Sequence, residues 1–162
     1  PKSSSWLTNS SSSSFKPFRT KPAGAACKVK SASDQLHPLS KEQEDALELI
    51  KAGHSVFLTG SAGTGKSLLL RHILQALPAA STYCTASTGL AACQLGGTTL
   101  HSFAGIGRGE GPMQKLIQMA CRPEARRRWT TCRTLIIDEI SMVDGLSFDT
   151  LEEVARVVRG NS

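Results

Sequence analysis

No apolar run in this 162-residue sequence approaches the roughly 20 residues that a bilayer-spanning helix needs, so nothing in it is expected to cross a membrane. No Cys-x-x-Cys pair occurs among Cys27, Cys84, Cys93, Cys121 and Cys132, which excludes a structural zinc site. Their odd number argues against a closed disulfide framework and fits a reducing compartment. Internal repeats are absent as well. Aromatic residues make up 5% of the chain, beside 40% hydrophobic and 20% charged residues, a balance foreign to collagen-like and wholly disordered proteins. The length leaves room for about one domain.

Acidic residues are scarce at the start of the chain. Residues 1–38 hold six Lys/Arg against Asp34 alone, so five of the six units of net charge lie there, and residues 39–162 are nearly neutral. The same segment holds ten serines and four of the seven prolines. Such a segment buries too little apolar surface to offset the entropy of ordering, and it is expected to be a disordered basic tail. It has some of the composition of a mitochondrial transit peptide, but Arg19 is its only arginine and no amphipathic period is evident. The first residue is Pro1 rather than Met, which leaves the natural start open.

From Leu39 onward the pattern is that of an alternating α/β domain. Ser40 caps a helix with Ala46, Leu47, Leu49 and Ile50 on one face, ended by Gly53. Ser55–Thr59 reads as a short buried strand, followed by a Gly-rich turn and a helix from Lys66 to about Leu77, stopped by Pro78. A strand near Thr82–Ala86, one or two helices through Trp129, a strand over Arg133–Asp138 and a helix over Leu146–Arg159 complete the series. The last helix should bury Phe148, Leu151, Ala155 and Val158.

Gly60-Ser61-Ala62-Gly63-Thr64-Gly65-Lys66-Ser67 is a complete G-x-x-x-x-G-K-S phosphate loop, placed between an apolar run and a helical pattern. The glycines let backbone N–H groups turn toward phosphate oxygens at a helix N-terminus. Lys66 is suited to the β- and γ-phosphates and the Ser67 hydroxyl to Mg²⁺. The alternative is a Gly-rich turn with an exposed lysine. Farther on, Leu135-Ile136-Ile137 ends in Asp138-Glu139. The first carboxylate can hold Mg²⁺ and the second can orient and deprotonate water, which favours hydrolysis of a nucleoside triphosphate over a small-molecule kinase reaction.

Five ordered blocks between Leu39 and Arg159 resemble the first motor domain of the petite-integration-frequency (PIF) helicases, 5′→3′ DNA helicases related to bacterial RecD. They are Leu39-Ser40-Lys41-Glu42-Gln43, the phosphate loop, Thr85 to Ala92, Gly96 to Gly107, and Asp138 to Asp144. The resemblance implies a P-loop NTPase of the α/β class, with a RecA-like parallel sheet flanked by helices, in which residues 39–162 form part of a first motor domain. It implies ATP and Mg²⁺ as cofactors and makes Gln43 the adenine-reading residue. Ser40-x-x-Gln43 is equally a capping box. Single-stranded DNA would lie along Ser87, Thr88 and Gly89 and along Thr98, Thr99 and His101, with hydroxyls and backbone N–H groups meeting phosphates. Thr88 and its neighbours can instead cap a helix beginning near Leu90, and His101 can be a packed histidine.

Arg126-Arg127-Arg128 could meet phosphates or form a solvated helix face, and Phe103 and Trp129 could stack on bases or fill the core. In the resembled fold a further strand lies between the phosphate-loop strand and the Asp138 strand, and a second motor domain supplies arginine fingers. The chain is therefore expected to be a fragment carrying an incomplete sheet, inactive by itself. The implied protein is a monomeric helicase acting on single-stranded, forked or G-quadruplex DNA in the nucleus or mitochondrion. A P-loop ATPase of DNA replication and a truncated, non-catalytic nucleotide-binding module are the competing readings.

Overall fold

The computed structural model describes residues 37–160. The tail expected over residues 1–38 lies, but for its last two positions, outside the described residues, as does Cys27.

Helix α1 (Lys41–Lys51) starts at Ser40 with a complete capping box: the Ser40 N–H donates to Gln43 Oε1 at 3.0 Å and the Gln43 N–H to Ser40 Oγ at 3.4 Å. It packs on α2 (Lys66–Ala76) through Leu47, Leu69 and Ile73, with Ala46 and Ile50 partly covered. Leu49, expected on the same face, is 50% exposed. It stands about 100° round the helix from Ile50, at the rim of a stripe that one partner helix covers.

The sheet is parallel, in the order β2-β1-β3, with β1 (Thr82–Ala86) between β2 (Thr98–Thr99) and β3 (Thr134–Asp138). Its register sets Thr85 opposite Thr98 and Ile137, and Ala86 opposite Thr99 and Asp138. The Thr85 hydroxyl is buried and donates to the Ile136 carbonyl at 2.7 Å, a further tie between β1 and β3. Ile136 meets the α1–α2 cluster, whereas Tyr83, Leu135 and Ile137 meet the larger core.

The strand expected over Ser55–Thr59 does not form. That stretch joins no ladder, and Phe57 is 74% exposed. An apolar run becomes a strand only when a neighbour takes its N–H and C=O groups, and no described strand lies along the outer edge of β3. All five residues of β3 are accordingly only half-buried.

The remaining helices are α3 (Gly89–Gln94), α4 (Leu100–Ala104), α5 (Met113–Ala120), α6 (Pro123–Thr131) and α7 (Gly145–Arg159). Phe103 is fully buried between Tyr83 and Trp129, at ring-centroid distances of 5.1 and 4.9 Å. Phe103 and Trp129 are thus core residues. In α7 the covered stripe is Leu151, Val154, Ala155 and Val158, at spacings of three and four, and Phe148 stays exposed. No described helix is long and apolar enough to cross a membrane.

Three side chains tie the helices end to end. Arg128 donates from Nη2 to the Ser102 carbonyl and from Nε to the Phe103 carbonyl, both at 2.8 Å. Trp129 Nε1 donates to the Ala104 carbonyl at 3.1 Å. At the same C-terminal end of α6, Arg159 Nη1 donates to the carbonyls of Trp129 and Cys132 at 2.9 and 2.7 Å. Burial holds the Arg128 guanidinium below its ordinary value, with Glu124 opposing, and pushes the Cys132 thiol up to about 11, with Arg159 opposing. The Cys132 thiol therefore keeps its proton near neutrality.

Candidate functional site

The phosphate loop joins the unpaired 54–60 segment to α2. Gly63 and Gly65 take left-handed conformations, with φ of +83° and +82°, that other residues rarely adopt. Gly65 is the N-cap of α2 and no side chain bonds the first N–H groups of that helix. They remain directed outward beside the positive end of an 11-residue helix, a donor set that fits phosphate oxygens. Lys66 Nζ folds back over the loop, 2.6 Å from the Gly60 carbonyl and 2.9 Å from that of Ser61. Thr64 closes the turn by donating from Oγ1 to the same Ser61 carbonyl at 2.9 Å. Ser61, Ala62 and Ser67 are exposed.

Gln43 stands against this loop. Its Nε2 donates to the Thr64 carbonyl at 3.1 Å while its Oε1 completes the capping box of α1. A Cβ built on Gly65 would come within 2.7 Å of Gln43 Nε2. Gln43 is thus both a capping residue and a neighbour of the phosphate loop, a conjunction that spacing alone did not reveal.

Asp138 ends β3 and is half-buried; Glu139 is exposed. Glu139 has φ +53° and ψ +45°, and among the described residues it alone has a positive φ without being glycine. A left-handed turn at a residue with a long side chain costs roughly 1–3 kcal/mol and ends the strand abruptly. It marks this acid as one whose direction the fold imposes. Ile136, two residues before Asp138, packs on the α1–α2 cluster, which brings the layer holding the loop helix onto the strand that bears the acids. After a 3-10 turn (Ile140–Met142), Asp144 caps α7: Ser147 N–H and Ser147 Oγ donate to its carboxylate at 2.9 and 2.6 Å. The Ser147 hydroxyl, then its backbone N–H, holds Asp144 below the usual carboxylate range.

The residues expected to meet a nucleic-acid strand gather at the carboxyl ends of β1 and β2, beside Asp138 in the register. Thr88 Oγ1 accepts from the Ala91 N–H at 3.3 Å and so caps α3; Thr99 Oγ1 accepts from the Ser102 N–H at 3.2 Å and caps α4. Capping uses the oxygen lone pairs and leaves each hydroxyl proton to donate outward. Gly89 is exposed, whereas Thr98 and His101 are half-buried. Ser87 differs from them, because its Oγ is shielded from solvent and has no hydrogen-bond partner. The Arg126–Arg128 run divides: Arg126 and Arg127 are exposed and Arg128 turns inward to α4. Sequence reasoning had no signal for Arg128, because the direction of one arginine in three is set by its neighbours in space.

A family model described as PIF1-like helicase matches residues 38–162. The ATP-dependent DNA helicase PIF1 of Xenopus laevis is 61% identical over 122 residues, which cover 75% of this chain and 19% of that protein. The human protein of the same name is 56% identical over 121 residues, with the same coverage. In the crystal structure of Pif1 helicase from Candida albicans, the matching region superposes with a TM-score of 0.74 at 51% identity, covering 78% of this chain and 30% of the other. The chain spans about a fifth of the length of these curated relatives.

Proposed function

Because the chain belongs to the PIF1-like helicase family, we propose that it carries the nucleotide-binding part of an ATP-dependent 5′→3′ DNA helicase. In this reading, hydrolysis at the Lys66 loop is coupled to stepping along single-stranded DNA, and hence to opening forked duplex or G-quadruplex DNA. The matching processes are DNA repair, recombination and telomere or mitochondrial genome maintenance, in the nucleus or mitochondrion. The protein acts as a monomer. Membership of the family sets aside a replication-initiation ATPase as the alternative.

The observation that carries the proposal is the meeting, along one sheet edge, of the Asp138-Glu139 strand end with the Thr88 and Thr99 helix caps, while the α1–α2 cluster that includes the loop helix packs on the same strand. In parallel sheets ligands bind at the carboxyl ends of the strands. ATP would be held by the backbone of Gly60–Gly65, by Lys66 on its outer phosphates and by Gln43 on the adenine. Ser67 and Asp138 would hold Mg²⁺. When bound, Mg–ATP supplies the phosphoryl group whose transfer to water releases the energy for movement. Lys66 neutralises charge that builds on the phosphates, and Glu139 takes the proton of the attacking water. Thr98, Thr99, Thr88, Gly89 and His101 would grip the DNA backbone through polar contacts that read no base. Ser87, with its shielded hydroxyl, would contribute through its backbone.

The test is phosphate release with and without oligo(dT), measured on the protein as its natural gene encodes it. Lys66→Ala is expected to weaken nucleotide binding and abolish turnover. Glu139→Gln is expected to lower turnover by about 10² to 10⁴-fold while a fluorescent ATP analogue still binds. Unchanged turnover in either variant refutes the assigned role.

A further inference from the structure

The geometry points to Arg128 as a positioning residue that fixes α4, and with it the Thr98–His101 block, toward the DNA strand. This inference rests on the strand-contact reading of that block.

Helix α4 is five residues long, too short to persist without tertiary support. Its His101 carbonyl accepts from the N–H groups of Gly105 and Ile106. The next three carbonyls, of Ser102, Phe103 and Ala104, are the ones a helix end leaves without helical partners. All three are taken by two consecutive residues of α6: Ser102 and Phe103 by the Arg128 fork, and Ala104 by the Trp129 indole. At the opposite end, Thr99 caps α4 from within β2, opposite Ala86. The helix is thus held at both ends, its strand-facing N-terminus by the sheet and its C-terminus by α6.

The planar guanidinium matters here because it donates to two neighbouring carbonyls at once, which a single ammonium on a flexible stem does not reproduce. Arg159 extends the frame, since its bonds to the Trp129 and Cys132 carbonyls hold α6 to the last turn of α7. The N-cap of α7, Asp144, lies five residues beyond Glu139. A chain of carbonyl clamps therefore runs from the helix that follows the acidic pair to the helix that bears His101.

Two readouts on the natural full-length protein test the inference. Arg128→Lys and Arg128→Met are expected to speed amide hydrogen exchange at Gly105 and Ile106, with no change at the β1 and β3 amides. They should also raise the oligo(dT) concentration that half-saturates ATPase stimulation, by about threefold for Lys and about tenfold for Met, since only part of the lost hydrogen-bond energy is transmitted to the DNA-facing end of α4. The KM for ATP and the turnover at saturating DNA should stay at wild-type values. Unchanged exchange at Gly105 and Ile106 overturns the clamp. A parallel loss of ATP and DNA affinity overturns positioning in favour of general packing. Faster exchange with an unmoved DNA half-saturation overturns the link to DNA, and Thr98→Ala then shows separately whether the block touches the strand at all. If Arg128→Met does not fold, Arg128→Lys carries both readouts.

Discussion

Gly65 and Gln43 illustrate how closely the residue scale is set. Gly65 has a left-handed backbone, and a Cβ on it would strike Gln43 Nε2 at 2.7 Å. Gly65→Ala is therefore expected to lower stability by about 1 kcal/mol or more through backbone strain alone and to weaken nucleotide binding through the displaced glutamine. Removing the obstacle should recover part of the loss, so the double variant Gln43→Ala/Gly65→Ala is expected to be less damaged than the sum of the two single changes. A double-mutant cycle of melting temperature and ADP affinity checks this, and strict additivity would show that the two side chains do not meet. The loop motif was legible because phosphate binding needs its glycines and lysine contiguous in sequence. The partnership of Gln43 with Thr64, 21 residues away, was not.

At the scale of elements, α7 depends on a cap that titrates. The Ser147 hydroxyl and N–H hold the Asp144 carboxyl below its ordinary value in the folded chain. A depressed acid stabilises the fold fully above its unfolded value of about 3.9, and that contribution is lost as pH falls through the lower folded value. Acid melts of wild type and Asp144→Asn are expected to diverge in that window. Asn keeps the cap without titrating, so its curve should lack the wild-type component. Identical acid profiles would refute the linkage. The position of α7 was readable from its apolar spacing. The exposure of Phe148 was not, because a periodic pattern names a face without saying how far along the helix the covering neighbours reach.

At the scale of the whole molecule, the described residues form a three-stranded parallel sheet with a large core on one face, a two-helix cluster on the other and an open edge along β3. That edge, together with Phe57, which is 74% exposed just before the phosphate loop in sequence, predicts binding of an apolar dye such as anilinonaphthalene sulfonate to the isolated chain. Phe57→Asp should reduce the emission without shifting the melting temperature, since Phe57 has no place in either core. An unenhanced dye signal from the wild-type chain would contradict the open edge. By itself the sequence determined the chemistry that lies in contiguous residues: the phosphate loop, the acidic pair at a strand end, the two threonine-bearing blocks and the family resemblance. It also determined β1 and β3, whose apolar runs find partners within the described chain. Only the tertiary structure decided that the Ser55–Thr59 run stays out of the sheet, which arginine of three turns inward, and that Glu139 bends left-handed. The reason is physical: a strand, a buried guanidinium and an imposed turn each depend on groups that neighbours in space supply, and linear spacing does not specify those neighbours.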